Sequence, residues 1–396
     1  MTPNSVVEAK MDNRIRVVHL ATRLIVAGMG HVIASLIREM PSDRYQSAVW
    51  CLEEADILGQ QLHTEGYEVI ELKRRWRRDF SLLIRIAFLL RKNCIDILHC
   101  HDELSWFYGA IAACLAGKHR VLVTMHGRRT DISSRHLYEQ KILAHFTTAI
   151  IAVSSYLRQQ CINEIKISPK KVMTIYNGIP FLPRCPEQEI RCRARRILGL
   201  PEDAMVIGSV GRLAEVKNFD LLIDAAADAH VVIPSLRVVL IGEGPCYAHL
   251  TRKVAELDLS EIVTFTGLRQ DVAEILPALD FYVCSSNYEG VSLSILEAMM
   301  AGRTVIATAV GGNTEIIHHN ETGVLVEKRN RLALAQAIID LAHDENRCQL
   351  LGERARREVE ESYCIDRMIQ DYDCLYMGVL GIKDKKNRVT TAESGK

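Results

Sequence analysis

The sequence predicts an α/β protein with two doubly wound parallel sheets, and three observations lead to this prediction. First, short β-rich runs alternate with stretches of helical length along nearly the whole chain, which indicates right-handed βαβ units around a parallel sheet. Second, several strand candidates are continuous apolar runs, as expected when helices cover both faces of a sheet. Third, the alternation breaks once, over residues 178–189, and then restarts, which indicates two similar domains.

The first series of elements contains seven strand candidates separated by amphipathic or apolar stretches. The strands are predicted at residues 16–20, 47–52, 68–72, 95–100, 120–125, 150–153 and 172–176. Helices are expected between them, for example at 80–92, 106–115 and 137–145. Asn177 and Gly178 then form a turn that closes the series.

The break at residues 178–189 contains three closely spaced prolines, which favour an extended linker over helix or strand. The second series follows, with strands predicted at 205–210, 237–241, 262–266, 281–284, 304–308 and 323–326. The sequence therefore predicts one domain over residues 1–182 and another over 183–362. A last helix is expected at 365–380, followed by a polar, disordered tail over 383–396.

Composition excludes several classes of protein. The 396 residues include 49 Lys plus Arg and 49 Asp plus Glu, so no overall charge points to nucleic acid as a partner. The 12 cysteines contain no C-x-x-C pair, and a chain of this length needs no disulfides, so reduced thiols in the cytoplasm are expected. The amino terminus is too polar for a signal peptide, and no uncharged apolar stretch reaches the roughly 18 residues needed to span a bilayer.

Two carboxylates eight positions apart, Glu289 and Glu297, organise the second domain. Glu289 follows an apolar strand candidate and should lie at the carboxyl end of that strand. Gly290, Val291 and Ser292 lead into the next helical stretch, which carries Glu297. Free amides in the first turn of a helix favour an anion, so this geometry suits a negatively charged leaving group and predicts a nucleotide-sugar site.

Two cations follow the first strand of the second domain, in the run G-R-L-A-E-V-K. Arg212 and Lys217 can both turn toward an anion above the sheet, where hydrogen bonds from cations are about twice as strong as neutral ones. The alternative is an ordinary solvated loop, which the nearby Glu289 disfavours. Ligands of open α/β sheets bind at the carboxyl ends of strands, so two facing domains would place all these residues along one cleft.

Glycine turns follow the next two strands, at Gly242 and Gly244 and then at Gly267. Glycine allows the backbone to bend and to approach a ligand. Contact between a nucleoside base and the backbone near Leu268 is one interpretation, although simple turn formation is the preferred one.

A glycine pair also follows the first strand of the chain, at Gly28 and Gly30. It resembles the dinucleotide fingerprint G-x-G-x-x-G/A, and the second strand ends near the acidic Glu53, so a nicotinamide-dependent dehydrogenase is an alternative. However, residue 33 is Ile where that fingerprint requires a small residue. A loop that lets a diphosphate approach the backbone is the better interpretation of these glycines.

His101 and His126 end the fourth and fifth strand candidates. A histidine at the end of a strand is by default a hydrogen-bonded structural residue, and His101 is interpreted in this way. His126 precedes Gly127 and should face the cleft, where we expect it to contact a sugar.

Residues 73–78 place five cations around Trp76, and the apolar helical stretch 80–92 follows. A basic aromatic patch can bind anionic lipid, with about 1 kcal/mol contributed by each cation near the surface. The alternative, which is slightly favoured, is a solvated loop before a helix of the core. The sequence therefore allows a peripheral membrane contact through residues 73–92.

With these motifs, the chain resembles the retaining glycosyltransferases of family 4, which have the GT-B architecture of two facing Rossmann-like domains. The resemblance runs from about residue 16 to residue 380, and its most specific parts are the two glutamates, the G-R-L-x-x-x-K run and the V-G-G-N-T-E segment that ends at Glu315. It implies that Glu289 contacts the transferred sugar and Glu297 binds the nucleotide ribose. It also implies that Arg212 and Lys217 hold the diphosphate.

In the first domain, the resemblance places His126 near the donor sugar and assigns Gly28 and Gly30 to a glycine loop at the cleft. It implies that the helix at 365–380 crosses back to the first domain. The first loop reads A-G-M-G-H where family members often read G-G-x-E, which is a departure on the acceptor side of the cleft.

The resemblance implies transfer of a hexose-type unit from a nucleoside diphosphate sugar to a hydroxyl of a lipid-linked or saccharide acceptor, with retention of anomeric configuration. Such enzymes often build polysaccharide or glycolipid at the cytoplasmic face of the membrane. No metal or other cofactor is expected, because Arg212 and Lys217 can replace a metal electrostatically. A nucleotide-sugar epimerase and a non-catalytic nucleotide-sugar-binding protein remain alternatives.

Overall fold

The computed structural model describes residues 13–76, 79–117, 120–127, 133–182 and 187–382. The predicted tail at 383–396 lies outside the described residues, as do Arg77 and Arg78 of the basic patch and residues 183–186 of the predicted linker. No helix within the described ranges is both long enough and apolar enough to cross a bilayer. All eleven cysteines in those ranges are free thiols.

The first domain contains a sheet of seven parallel strands in the order β3-β2-β1-β4-β5-β6-β7. The strands are β1 (Ile15–Ala21), β2 (Tyr45–Cys51), β3 (Glu68–Glu71), β4 (Ile97–Cys100), β5 (Val121–Met125), β6 (Ala149–Ala152) and β7 (Val172–Thr174). The helices between them are α1 (Gly28–Glu39), α2 (Ile57–Thr64), α3 (Phe80–Lys92), α4 (Glu103–Leu115), α5 (Ser134–Leu143) and α6 (Ser155–Asn163). The strand order reverses between β1 and β4, and such a switch point opens a crevice at the carboxyl ends of the strands.

The second domain contains a sheet of six parallel strands in the order β10-β9-β8-β11-β12-β13. The strands are β8 (Met205–Val210), β9 (Leu236–Ile241), β10 (Val263–Gly267), β11 (Phe281–Cys284), β12 (Thr304–Thr308) and β13 (Val324–Val326). The helices are α7 (Glu187–Leu198), α8 (Phe219–Val232), α9 (Tyr247–Glu256), α10 (Val272–Ile275), α11 (Leu293–Met300), α12 (Asn313–Ile316), α13 (Arg331–Ala342) and α14 (Glu345–Ser362). The predicted α/β class with two parallel sheets is thus confirmed, and each predicted strand end lies within two residues of the observed one.

Two predicted loop segments are partly helical. The predicted glycine loop is wrong in its conformation, because α1 already begins at Gly28 and Gly30 lies in its first turn. A Cβ atom on Gly30 would lie 2.1 Å from the carbonyl oxygen of Ile25, so this glycine lets the helix start pack against the preceding loop. The predicted linker ends early, because α7 begins at Glu187. The closely spaced prolines stop at residue 186, so nothing opposes helix formation beyond it.

The last helix, α15 (Ile365–Leu380), packs against the first domain. Tyr376 is fully buried, and its hydroxyl lies 2.7 Å from Nδ1 of His99 in β4. The segment before α15 passes close to Gly178, where a Cβ atom would lie 2.5 Å from the carbonyl oxygen of Cys364. Gly178 therefore has a second role besides the turn, because its lack of a side chain lets the segment before α15 pack against it.

Candidate active site

The carboxyl ends of β8 and β11 bring an ammonium group and a carboxylate together. A short 3-10 turn, Glu215–Lys217, follows β8 and carries Lys217, while Glu289 lies in the loop after β11. Nζ of Lys217 lies 2.6 Å from Oε1 of Glu289. The two residues singled out by the sequence therefore form an ion pair.

Hydrogen bonds hold this ion pair in place. The hydroxyl of Ser286 donates to Oε1 of Glu289 at 2.6 Å, and the hydroxyl of Ser285 donates to the carbonyl oxygen of Lys217 at 3.1 Å. Burial acts to lower the pKa of Lys217, but the charge of Glu289 and the hydrogen bond to it outweigh burial, so that the pKa lies above its ordinary value. Lys217 is therefore a fixed positive charge, and Ser285 and Ser286 are supporting residues that the sequence interpretation missed.

The loop that carries Glu289 packs tightly against the two glycines after β12. A Cβ atom on Gly311 would lie 2.0 Å from the carbonyl oxygen of Glu289, and one on Gly312 would lie 1.7 Å from that of Gly290. The amide of Gly312 also donates to the carbonyl oxygen of Glu289 at 3.2 Å. The two glycines of the V-G-G-N-T-E segment therefore position the backbone of the candidate site, and the adjacent pair in the sequence was the signal for it.

The first domain contacts the same loop. A Cβ atom on Gly290 would lie 2.2 Å from the carbonyl oxygen of His126, so these two backbones touch across the cleft. A Cβ atom on Gly28 would lie 3.6 Å from the side chain of Leu293, the first residue of α11. Residues predicted from opposite halves of the chain, His126 and Gly28 on one side and Glu289 and Gly290 on the other, thus line one crevice.

The helix after Glu289 begins where the sequence places it. Val291 and Ser292 are buried, and Ser292 is the N-cap residue of α11 without a side-chain cap hydrogen bond. The amides of the first turn of α11 have no partner within the helix, as at any helix start, and they begin next to Glu289. An anion bound here would accept hydrogen bonds from this turn.

Glu297 lies in the second turn of α11, and no hydrogen bond or ion pair of the described residues involves its carboxyl group. Burial raises its pKa to about 7. The side chain is half-buried, so a carboxylate there loses part of its hydration without gaining a protein partner, and hydroxyl groups of a ligand would supply the missing hydrogen bonds.

Two predicted donor ligands form no hydrogen bond or ion pair with Lys217 or Glu289 in the described part of the chain. Arg212 is exposed, and no hydrogen bond or ion pair found in the described part of the chain includes its guanidinium. Leu268 is 44% exposed, and its amide donates a long hydrogen bond of 3.4 Å to the carboxylate of Glu243. The structure therefore brings Lys217 and Glu289 together and leaves Arg212 and Leu268 at the surface of the second domain.

A chain of histidines leads from the first sheet to the cleft. Nδ1 of His19 lies 3.0 Å from Nε2 of His101, and Nδ1 of His101 lies 3.1 Å from Nε2 of His126. Beside them, both ring nitrogens of His99 are hydrogen bonded, to Tyr376 and to Thr124 at 2.7 Å each. His101 is fully buried, as its interpretation as a structural residue requires, but it also contacts the histidine at the cleft.

Burial keeps these histidines neutral. It lowers the pKa of His19 to about 3 and that of His126 to about 4, and the pKa values of His99 and His101 also lie well below the ordinary value. His19 and His99 were not singled out from the sequence. They are register partners in the pairing of β1 with β4, and that pairing is visible only once the strand order is known.

The histidines form a hydrogen-bonded network and not an arrangement of free ligands. Ring nitrogens of His19, His99 and His101 lie within 4.8 Å of one another, a spacing that could hold a metal ion. However, five of their six ring nitrogens already bond to side chains, and the sixth is Nε2 of His19. A D-x-D tripeptide, another pattern that can bind metal, begins at Asp371, but it lies on α15, where Asp373 pairs with Arg44.

Glu53, on which the dehydrogenase alternative depends, is committed to other partners. Its carboxylate forms ion pairs with Arg23 and with Arg74. Ile33 of the incomplete fingerprint is fully buried. Neither residue is placed to bind a dinucleotide.

Glu315 connects the two domains beside the cleft. Its carboxylate accepts hydrogen bonds from the amides of Ser155 and Tyr156 at 2.8 and 2.6 Å, and from the hydroxyl of Tyr176 at 2.7 Å. Ser155 and Tyr156 are the first residues of α6, so a carboxylate of the second domain satisfies free amides at the start of a helix in the first.

Comparison with known proteins identifies the family of this chain. Residues 26–181 match the family described as Glycosyltransferase Family 4, and residues 191–358 match the one described as Glycosyl transferases group 1. The putative glycosyltransferase EpsD of Bacillus subtilis is 30% identical over 306 residues, which are 74% of this chain and 79% of EpsD. The chain belongs to glycosyltransferase family 4. Like its named relatives it is a transferase enzyme.

Two further comparisons cover nearly the whole chain. An Escherichia coli enzyme named UDP-Gal:alpha-D-GlcNAc-diphosphoundecaprenol alpha-1,3-galactosyltransferase is 25% identical over 385 residues, which are 93% of this chain and 98% of that enzyme. The crystal structure of Anabaena Alr3699/HepE in complex with UDP and glucose superposes with a TM-score of 0.84 at 20% identity, covering 92% of this chain and all of that one. The GT-B fold implied by the sequence is thus confirmed.

Proposed function

We propose that this glycosyltransferase moves a hexose-type unit from a nucleoside diphosphate sugar to an acceptor hydroxyl with retention of anomeric configuration. The observation that carries the proposal is the ion pair of Lys217 and Glu289 beside the first turn of α11. The ammonium group of Lys217 and the free amides of α11 supply positive charge for the leaving diphosphate. The carboxylate of Glu289 is available to the transferred sugar.

The proposed reaction breaks the bond between the anomeric carbon and the diphosphate oxygen. The acceptor oxygen bonds to the same face of that carbon, and the hydroxyl proton passes to the departing diphosphate. Lys217 and the amides of α11 stabilise the charge on the diphosphate, and Arg212 completes this set by turning in from its exposed position. Glu289 steadies the positive charge on the sugar, and Glu297 binds the ribose hydroxyls. These fixed charges let the reaction proceed without a metal.

The donor we propose is a uridine diphosphate sugar. Support comes from the names of similar proteins, since the Escherichia coli relative uses UDP-galactose and the Anabaena structures contain UDP or UDP-glucose. The neutral imidazole of His126 is suited to a hydrogen bond with a sugar hydroxyl, because it carries no charge that would compete for the diphosphate.

The acceptor we propose is a lipid-linked sugar or a saccharide at the cytoplasmic face of the membrane, in polysaccharide or glycolipid synthesis. Support comes from the Escherichia coli relative, whose name contains a diphosphoundecaprenol acceptor. An acceptor of that kind is a hydroxyl group on a sugar that a polyprenyl chain holds at a bilayer surface.

A panel of nucleotide sugars tests the proposal. The true donor at a concentration of 100 times its Kd should add about 2.7 kcal/mol to the free energy of unfolding, which a thermal shift detects. That donor should then be consumed only when an acceptor is present, also in the presence of EDTA, and proton NMR of the product should show the anomeric configuration of the donor. Isomerisation of the donor alone would indicate an epimerase, and binding without turnover on any acceptor would indicate a non-catalytic protein; either result contradicts the proposal.

A further inference from the structure

Helix α3 has apolar side chains on two sides, and only one side is covered by the protein. The covered side consists of Leu82, Leu83, Ile86, Ala87 and Leu90. On the other side, Phe80, Ile84 and Phe88 are 69%, 69% and 62% exposed, and Trp76 just before the helix is 72% exposed. We call Trp76, Phe80, Ile84 and Phe88 the apolar stripe.

The apolar stripe is not a set of scattered surface residues. Phe80, Ile84 and Phe88 follow one another in steps of four, so they lie along one line on the helix. A surface helix of a globular protein normally has one apolar face, toward the core, and a polar face toward water. A contiguous exposed apolar patch marks a site that binds a partner or a membrane.

The charges around the apolar stripe indicate an anionic partner. Among the described residues of the segment 73–92 there are six Lys or Arg and one acid, whereas the whole chain is balanced. That acid, Asp79, is buried, and its carboxylate accepts hydrogen bonds from the amides of Arg75 and Leu82. The exposed cations of the segment are Lys73, Arg75, Arg85, Arg91 and Lys92.

The apolar stripe lies beside the helix that leads to the cleft. The amide of Asp79, at the start of α3, donates to the hydroxyl of Tyr108 in α4 at 2.9 Å. Arg91, near the end of α3, donates to the carbonyl oxygens of Leu115 and Ala116 at the end of α4. The two helices therefore run side by side in the same direction, and the Trp76 end of the apolar stripe lies toward the start of α4.

A cavity of about 370 Å³ opens at the start of α4. It is lined by the N-cap and first turn of α4, by the β1–α1 loop and by the start of α1, including Asp102, Thr22 and Met29. Met29 follows Gly28, which faces α11 across the cleft, so the cavity lies on the first-domain side of the candidate site. Tyr108 is five residues into α4 from Glu103, which is roughly 8 Å along the helix axis.

From these observations we infer that the apolar stripe docks the enzyme on the surface of an anionic bilayer. The four apolar side chains enter the boundary between headgroups and acyl chains, and the surrounding cations contact anionic headgroups. This docking brings the cavity at the start of α4 next to the membrane surface, where the sugar of a lipid-linked acceptor would be held. The role of this docking in presenting a lipid-linked acceptor rests on the proposed function, but the membrane contact itself needs neither donor nor acceptor.

Binding to vesicles tests the inference directly. We expect the full-length protein to co-sediment with vesicles that contain phosphatidylglycerol and to bind pure phosphatidylcholine vesicles weakly. The double variant Ile84→Glu/Phe88→Glu should lower partitioning onto the anionic vesicles by on the order of tenfold or more, because it places two carboxylates at the apolar surface.

The chain offers a matched control. Val231 and Leu332 are 82% and 74% exposed and lie on α8 and α13 of the second domain. Val231→Glu/Leu332→Glu makes the same change of charge, removes two exposed apolar side chains of comparable kind, and should leave vesicle binding unaltered. Equal binding by both double variants and the parent protein, or equal loss in both, would overturn the inference. So would a parent protein that ignores anionic vesicles and instead dimerises through the apolar stripe.

Tryptophan emission gives a second measurement that needs no disruptive variant. Of the three tryptophans, Trp50 and Trp106 are fully buried, and Trp76 is exposed. Addition of phosphatidylglycerol vesicles should therefore shift the emission to shorter wavelength, and Trp76→Phe should abolish the shift. Vesicle binding without any shift would mean that another surface makes the contact.

The results of these binding experiments can be distinguished from a failure of the proposed function. Vesicle binding is measured without substrates, so it holds or fails independently of the reaction. If the reaction is as proposed, Ile84→Glu/Phe88→Glu should transfer sugar to a water-soluble acceptor at the parent rate and should lose rate only on an acceptor embedded in vesicles.

Discussion

The two sides of the cleft carry opposite kinds of chemistry. On the second-domain side, Lys217 and Glu289 form an ion pair at 2.6 Å, beside the start of α11. On the first-domain side, His126 ends a hydrogen-bonded chain of imidazoles that burial keeps uncharged. One side presents fixed charge, and the other presents neutral groups that can donate or accept a hydrogen bond.

This difference separates two tasks of a sugar transfer. Stabilising a departing diphosphate requires positive charge that is already in place, because fixed charge needs no reorganisation during the reaction. Orienting a sugar requires directional hydrogen bonds, for which a neutral group is adequate. If this division is correct, variants on the charged side should reduce turnover much more than variants on the neutral side.

The largest expected effect is on the charged side. Lys217→Ala should lower kcat by about 10²–10³, the range for loss of one charge-stabilising donor in a site of this kind. Steady-state kinetics with saturating donor measures it. Lys253→Ala is a suitable control, since Lys253 lies in the same domain but forms its ion pairs with Asp220 and Asp224 instead of with Glu289. A Lys217→Ala enzyme with parental kcat would remove Lys217 from the proposed mechanism.

A smaller effect should follow from Glu297→Gln, and it should fall on donor binding. Loss of charge-assisted hydrogen bonds to ribose hydroxyls should raise KM for the donor by about tenfold to a hundredfold, with a modest change in kcat. Initial rates over a range of donor concentrations separate the two constants. A drop in kcat at unchanged KM would place Glu297 in the chemical step instead.

Although Glu297→Gln should weaken donor binding, it should increase the stability of the fold at alkaline pH. Burial raises the pKa of Glu297 from its ordinary value near 4.5 to about 7, so within that window the unfolded chain loses a proton that the folded chain keeps, and stability falls as pH rises. The cost reaches on the order of 3 kcal/mol above pH 7. Glu297→Gln should therefore unfold at a higher temperature than the parent at pH 8 and at a similar temperature at pH 5. Equal destabilisation at both pH values would contradict the raised pKa and the unpaired state of this half-buried carboxyl group.

The smallest effect on rate is expected on the neutral side. His101→Gln should lower kcat/KM by about fivefold, the equivalent of one neutral hydrogen bond. Burial lowers the pKa of His101, so the unfolded chain takes up a proton below about pH 6.5 while the folded chain does not, and stability falls as pH falls below that value.

In His101→Gln the free energy of unfolding should fall less steeply between pH 6.5 and pH 4.5, because one fewer group takes up a proton when the chain unfolds. Urea unfolding at several pH values measures the slope. His249→Gln is the control, because His249 is exposed and pairs with Asp220 on the surface of the second domain. A slope that is unchanged in His101→Gln would mean that His101 is protonated in the folded state.

The charged side of the cleft could be predicted from the sequence, because its position depends on local sequence patterns. Each strand is a short apolar run that ends at a recognisable turn, so the ends of β8 and β11 could be located to the residue, together with the positions of Lys217 and Glu289 at those ends. The start of α1 could not be located, because two closely spaced glycines after a strand favour a loop locally, whereas here they belong to the first turn of a helix. The contact between Gly30 and Ile25 that explains them depends on how the chain folds back.

The histidine chain could not be predicted for a related reason. His19 and His99 each lie inside an apolar strand, where a single polar residue gives little signal. Their proximity follows from β1 being next to β4 in the sheet, an order that no short stretch of sequence specifies. The hydrogen bond between Tyr376 and His99 could not be predicted either, because the two residues lie 277 positions apart along the chain.

Glu315 constrains how the cleft can widen. Its carboxylate satisfies the amides of Ser155 and Tyr156 from the opposite domain, so a motion that draws these residues apart would leave two backbone donors of α6 without partners. The least costly rotation keeps this contact near its axis and separates the domains on the far side. A donor would then enter from that side, and the path of substrate into the enzyme would be determined by one carboxylate whose hydrogen bonds all go to the opposite domain.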